Sequence, residues 1–343
     1  VWIVFGPDDW LASYVETEGR EMTQVVKPKV VVSRCIEFDS CRYNGLMISS
    51  DTVTRLKPHV QFIPVCPEVE IGLGIPRDPV RVVLVKERPK LLQPSTKKDL
   101  TEKMMVFADS FLRSIGRVDG FVLKSRSPSC GLRDVKLYAR VDAGPTVGKG
   151  IGFFGHAVVN EFSHAAIEDE GRLRNFRIRE HFFTKLFTDA RFSVVEESHT
   201  MKELVRFHSE HKMLLMAYSQ KQLQMLGRVV ANHQRKPVRE VLHDYRDGFQ
   251  KAFSRIPKHA SNINVLMHAL GYFSKRLSHK EKAFLLDTLQ LYRAGRVPLS
   301  VPLNLVRSWV VRFEQSYLMQ QVFFQPYPLE LMEISDSGKG RDL

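Results

Sequence analysis

The chain has 343 residues, 43% hydrophobic and 26% charged, a balance that suits a globular protein with a real core and excludes a disordered or fibrous one. It contains no run of about 18 apolar residues, which excludes a membrane-spanning helix, and its four cysteines are too few for a disulfide framework, which points to a reducing cytoplasm. The formal net charge is +13, and residues 199–329 hold 20 Lys and Arg against 8 Asp and Glu, so nearly all the excess lies there. Such a lopsided region reads as a solvated basic face or as a surface for a polyanion, nucleic acid first.

In chain order, "VWIVFGPDDW" has an apolar run too short, and Asp8 and Asp9 too acidic, for a signal peptide. Residues 1–24 are expected to be a poorly ordered extension or a mis-assigned start. "KVVVS" (29–33), "VQFIPV" (60–65), "VRVVLV" (80–85), "GFVLK" (120–124) and "VKLYARV" (135–141) read as strands. "TKKDLTEKMMVFADSFLRSI" (96–115) has helical spacing and sits between two strands, as a parallel crossover requires. The expected fold class is therefore an α/β domain over 25–192, with a parallel sheet covered on both faces. "GPTVGKG" (144–150) is one residue short of a phosphate loop, with no Ser or Thr after the Lys, and reads as a Gly-rich connection.

Beyond "SVVEES" (193–198) the pattern becomes all-helical, with Leu204, Phe207, Met213, Leu214, Ala217, Leu223 and Leu226 on one stripe. This gives a second, all-α domain over 193–330 and a polar tail over 331–343. His208 and His211 stand three apart on a helix, as a metal pair or, more simply, as a partly buried polar face. "HQRKPVREVLHDYR" and "GYFSKRL" mix cations with aromatics, which marks Arg235, Lys236, Arg239, Lys275 and Arg276 as candidate phosphate contacts.

Three cysteines share one placement. Cys35 follows "KVVVS", Cys66 follows "VQFIPV", and Cys130 follows "GFVLK" after the short loop "SRSPS". In an open parallel sheet the strand C-termini lie along one edge, where ligands bind, so residues 31 and 64 positions apart are brought together. Three thiolates in one cluster suit zinc or an iron–sulfur centre; buried cysteines acting as small core residues are the plainer alternative. Cys41, in "DSCRYNG", is a fourth ligand or a bystander.

These residues carry a resemblance. "VSRC" (32–35), "RYNG" (42–45), "PVCPEVEIGLGIPRDPVRVV" (64–83), "LKSRSPSCG" (123–131) and "EDEGRLRNFRIREHFFTKLF" (168–187) resemble the thiouracil desulfidase family, known also as domain of unknown function 523. The helical part, from "SHTMKELVRFHSEHKMLLMAYSQKQLQ", resembles the domain of unknown function 1722 that is fused to it in bacterial tRNA 4-thiouridine desulfidases. The first cysteine block departs from the family pattern, continuing "IEFDSC" where Leu and Gly are usual, and Asn44 stands in place of the usual Asp. The resemblance implies a 4Fe–4S cluster held by Cys35, Cys66 and Cys130 with one iron free of protein ligands, and an acid–base pair at Glu68 and Ser127. It implies exchange of a pyrimidine C=S for C=O with release of sulfide, on 4-thiouridine in tRNA or on free thiouracil or its nucleotides. A non-enzymatic iron–sulfur or zinc protein that binds RNA is the other class of function the residues allow.

Overall fold

The structure, a computed structural model, describes residues 26–141 and 144–332. The expected extension (1–24), and all but the first two residues of the expected tail, lie outside the described residues.

Strand β1 (Lys29–Ser33) leads through a loop to helix α1 (Asp51–Leu56), which Ser50 caps by accepting from the Val53 N–H at 3.4 Å. Strand β2 (Gln61–Val65) and the one-turn helix α2 (Pro67–Glu70) follow. Next come β3 (Arg81–Val85), β4 (Arg88–Gln93), β5 (Lys98–Asp99), α3 (Thr101–Ser114) and β6 (Gly120–Leu123). The sequence then runs through β7 (Val135–Tyr138), β8 (Thr146–Gly150), α4 (Phe153–Glu161), β9 (Ala166–Asp169) and α5 (Phe176–Ser198).

Strands β1, β2, β6 and β9 form a parallel sheet in the order β2-β1-β6-β9. Alternate residues point to opposite faces. Val31, Phe121 and Leu123 pack with Leu112 of α3 and Phe154 of α4. Val30, Val32 and Val122 pack with Val53 and Leu56 of α1 and with Phe182 and Leu186 of α5. The sheet is thus covered on both faces. The chain leaves β1 toward β2 on one side and β6 lies on the other, so the β1/β6 boundary is the switch point where a crevice opens beyond the strand C-termini.

Two expectations need correction. The stretches at 80–85 and 135–141 do not join the parallel sheet; they are β3 and β7 of a separate mixed sheet ordered β5-β4-β3-β7-β8. Apolar content alone does not say which sheet a strand joins. "GPTVGKG" is not a mere connection either: Thr146–Gly150 is an edge strand paired antiparallel with β7.

The helical part comprises α6 (Met201–Tyr218), α7 (Gln220–Ala231), α8 (Val238–Ala252), α9 (His259–Gly271), α10 (His279–Arg293), α11 (Ser300–Arg312) and α12 (Ser316–Met319). All seven stripe residues from Leu204 to Leu226 are buried in one core with Tyr245, Phe249 and Trp309. The seam expected at 193–198 lies inside α5, which runs unbroken through it. The N-terminal turns of α5 pack on the sheet, whereas Phe192 stacks among Phe207, Tyr245 and Phe249 of the helical core at 5.1–5.2 Å. Arg246 of α8 binds Asp189 and Glu196 of α5, and Arg117, ahead of β6, reaches the same Glu196 at 2.9 Å.

Candidate functional site

The C-terminal edge of the parallel sheet opens into a cleft of about 530 Å³ lined by Cys35, Cys41, Cys66 and Cys130 together with Glu68 and Ser127. All four thiols are free and buried. Cys35 lies two residues past β1. Cys66 caps α2, its carbonyl accepting from the Val69 and Glu70 N–H groups at 3.0 Å each. Cys130 stands on the loop after β6.

That loop is held from three sides. Glu170, just past β9, accepts from the Ser125 N–H and hydroxyl at 2.8 Å each and from Lys124 Nζ at 2.5 Å. Ser33 Oγ accepts from the Lys124 N–H at 2.9 Å, joining the loop's start to the end of β1. The first turn of α4 supplies the third side: the Gly152 N–H donates to Gly131 O at 2.7 Å, and the Gly155 N–H donates to Ser129 O at 3.0 Å. Gly155 is required for this approach. A Cβ there would stand 2.7 Å from Gly131 O and 2.8 Å from Cys130 O. Neither Glu170 nor Gly155 stands out in the sequence as a site residue. "EDEG" directly after an apolar run, and "GFFG" opening a helix, were the signals available.

Glu68 is not a free carboxylate. Its Oε2 pairs with Arg77 Nη2 at 2.7 Å and Nε at 2.8 Å, and its Oε1 accepts from Ser129 Oγ at 2.9 Å. Arg77, the Arg of "GLGIPR", is fixed as well by Cys41 O at 3.0 Å. Ser127 takes a turn-capping position: its Oγ accepts from the Ser129 and Cys130 N–H groups at 3.2 and 3.1 Å. Neither bond uses the hydroxyl proton, and the Ser127 side chain also makes a hydrogen bond with the Cys130 thiol.

Cys41 is no distant bystander. It is fully buried, and the neighbouring Cys35 thiol raises its pKa, with burial adding to the effect against Cys66 and Arg34. Hydrogen bonding to Cys41, then burial, raises the Cys66 thiol, and burial raises the Cys130 thiol. Among the described residues no three His, Cys, Asp or Glu side chains converge on one point as a single-ion site. The Cys41 thiol makes hydrogen bonds with both Cys35 and Cys66, and Cys130 stands across from them on its own loop. A soft, all-sulfur donor set on three adjacent elements fits an iron–sulfur cluster, which takes its ligands on different irons.

The pair His208 and His211 is accounted for without a metal: His208 Nδ1 lies 3.1 Å from Tyr245 Oη, and His211 Nδ1 lies 2.7 Å from Phe207 O. The five candidate phosphate contacts fall in two places. Arg235, Lys236 and Arg239 lie at the α7–α8 junction, and Lys275 and Arg276 lie between α9 and α10. Lys236 is paired with Asp244 at 2.7 Å and Arg276 lies over the Phe313 ring at 5.6 Å, while Arg235, Arg239 and Lys275 are exposed. No helix of the described residues is long and apolar enough to cross a membrane.

Fold and site together define a two-part protein: an α/β domain with a cysteine-lined cleft at its switch point, joined through a shared helix to an all-α domain. Residues 30–170 match the family described as 2-thiouracil desulfurase, and residues 212–328 match the protein of unknown function DUF1722. The two matches fall on separate parts of the chain, the 2-thiouracil desulfurase model on the α/β part that carries the cysteine cleft and DUF1722 on the helical part. The chain is similar to the uncharacterized protein YbgA of Escherichia coli strain K12, at 29% identity over 156 residues, 43% of this chain and 92% of the relative. It is similar to the uncharacterized protein YbbK of Bacillus subtilis strain 168, at 29% over 110 residues, 30% of this chain and 72% of the relative. Among solved structures it is similar to the 4Fe–4S-dependent thiouracil desulfidase TudS, at 26% identity and a TM-score of 0.35, covering 43% of this chain and 93% of that one.

Proposed function

We propose that the chain is a non-redox, iron–sulfur-dependent desulfidase that converts 4-thiouridine in tRNA to uridine. The observation that carries the reading is the convergence of three buried thiols, from the C-terminal ends of three adjacent parallel strands, on one cleft within the region matched to 2-thiouracil desulfurase. Cys35, Cys66 and Cys130 would hold the cluster. When bound, it supplies a soft Lewis acid for the thiocarbonyl sulfur. The reaction balances as a hydrolysis: water delivers oxygen to C4, the C=S bond breaks, and sulfur leaves as sulfide without a change in oxidation state.

The chain's own groups divide the remaining work. Glu68 is the general base toward water; each carboxylate oxygen accepts more than one hydrogen bond, so the bonds to Arg77 and Ser129 orient it and still leave room for a water. Ser127, beside the Cys130 thiol, would relay a proton to the departing sulfur or the ring. Of the cations lining the cleft, Arg34 pairs with Asp39 and Glu70, Arg77 with Glu68 and Lys124 with Glu170, which leaves Arg42, Arg81, Arg126 and Lys136 in excess. That excess suits the phosphates flanking a nucleotide better than a neutral free base. The basic helical domain would add Arg235, Lys236, Arg239, Lys275 and Arg276 as candidate RNA contacts.

The test is anaerobic reconstitution, incubation with 4-thiouridine-containing tRNA, and nucleoside analysis. Loss of 4-thiouridine with matching uridine and sulfide supports the reading. A reconstituted protein that leaves tRNA untouched but releases sulfide from free thiouracil favours the second reading, desulfidation of the free base named in the family description. Charge reversal at the five cations is expected to weaken tRNA binding and flatten its salt dependence.

A further inference from the structure

A second cavity, of about 430 Å³, lies away from the cysteines, between α5 and the helical domain. Its volume is within the range of about 300–1,000 Å³ usual for small-ligand pockets. Three helices begin at its wall: α5 with Phe176 and Arg177, α9 with His259, and α11 with Ser300. Neither α9 nor α11 has a side-chain cap; the Val301 N–H donates to Pro298 O at 3.2 Å, Pro302 has no N–H and the Ser261 N–H donates to Lys258 O at 3.0 Å, so the first-turn N–H groups left are those of His259 and Ala260 in α9 and Ser300 in α11. Converging helix N-termini carry positive partial charge and favour an anion. Two exposed guanidinium groups, Arg177 and Arg296, line the same cavity.

The interior has a different character. His259 and Tyr292 lie with ring centroids 4.7 Å apart and planes tilted by 50°, and give the cavity an aromatic wall. Asn262 donates to Tyr292 Oη at 2.8 Å, which leaves the amide oxygen free to accept. His181 Nδ1 is engaged by Tyr218 Oη at 3.1 Å, so its Nε2 is the ring nitrogen left for a ligand. Tyr327 donates to Glu180 Oε1 at 3.2 Å, and burial lifts the Glu180 carboxyl to about 7, so near neutral pH it can donate as well as accept.

A cationic rim, an aromatic wall and a floor of mixed donors and acceptors match the three parts of a nucleotide. We propose that this cavity binds a nucleoside monophosphate, with the phosphate at Arg177 and Arg296 and the base between His259, Tyr292 and the Asn262–His181 floor. The unit is either a free nucleotide or the end of an RNA strand. The inference is independent of the desulfidase reading, since the cavity shares no residue with the cysteine cleft.

The experiment is calorimetric titration of the full-length protein with uridine 5′-monophosphate, uridine and orthophosphate. Saturable binding of the nucleotide is expected, weakened at least tenfold in Arg177→Gln and in Arg296→Gln and unchanged in Arg113→Gln, an exposed residue of α3 that lines neither cavity. Uridine and orthophosphate are each expected to bind more weakly than the nucleotide. Competition by a short 5′-phosphorylated oligonucleotide would identify a strand terminus as the source, and competition by mononucleotides alone a free nucleotide. No saturable binding of uridine or adenosine monophosphate at millimolar concentration would overturn the proposal. So would binding that survives undiminished in both rim variants.

Discussion

His211→Gln is expected to change how stability depends on pH, by an amount set by one side chain. His211 is buried, its ring stacked on Phe207 at 3.8 Å, and among the described residues its Nε2 has no hydrogen-bond partner. Burial, with nearby Arg191, lowers its pKa from 6.5 to about 3. The native state therefore holds it neutral over a range in which the unfolded chain binds a proton. A depressed native pKa means that the stability is fully present above about 6.5 and is lost as pH falls toward about 3. The loss is about 1.4 kcal/mol per pH unit for one group. His181 and His208, each lowered to about 4, act in the same direction, and Glu180, raised to about 7, acts in the opposite direction between about 7 and 4.5. Comparing parent and variant cancels these and isolates His211. Urea unfolding followed by circular dichroism should find His211→Gln the less stable at pH 7.5, because the stack on Phe207 is lost. The gap should then narrow by about 2 kcal/mol between pH 6.5 and pH 5. Stability curves that stay parallel down to pH 5 would refute the reasoning.

Other changes act on the cleft. Cys35→Ala, Cys66→Ala and Cys130→Ala should each lose iron after anaerobic reconstitution, while Cys41→Ala keeps it; iron content per chain decides between three ligands and four. Glu68→Gln and Ser127→Ala should retain iron and lose roughly 10²–10⁴-fold in turnover, as removal of a proton-transfer group does; a near-normal rate in Glu68→Gln with full iron would make that carboxylate structural. Arg77→Met should destabilise the fold by about 3–5 kcal/mol, because it leaves the Glu68 carboxylate in a site only 12% exposed without its cation, and chemical denaturation measures this. Gly155→Ala should lower both stability and iron content, because its new methyl meets the Cys130 and Gly131 carbonyls; an unchanged midpoint would show that α4 can slide away at no cost.

The parallel sheet and the cysteine edge were legible in the sequence for a physical reason. Strands buried on both faces must be continuously apolar, as β1 and β6 are, and the apolar runs in "KVVVS", "VQFIPV" and "GFVLK" each end on the edge where the chain turns polar. The second sheet was not legible as separate, because strand partners are chosen by tertiary packing and not by the composition of a five-residue run. The hydrogen bonds that Glu68 makes to Arg77 and Ser129, and those that Glu170 makes to the cysteine loop, join residues as far as 61 positions apart, which no local pattern encodes.

The boundary between the two parts hid in the same way, and its position has a consequence for function. A helical period reports that α5 is a helix; it does not report that one end packs on a sheet and the other in a bundle. The N-terminal turns of α5 follow Glu170, which fixes the cysteine loop, and the same turns form one wall of the second cavity. Its C-terminal turns are locked to the bundle by Arg246 through Asp189 and Glu196. Burial raises the Asp189 carboxyl, and Arg246 and Arg117 oppose that shift, so the ionised pair depends on those cations remaining in place. This 23-residue helix packs on the sheet at one end and in the bundle at the other, so the basic domain and the cleft share one element. That is the arrangement required if one domain is to hold a strand while the other receives a base drawn out of its stack, since unstacking costs a few kcal/mol that only simultaneous backbone contacts can offset.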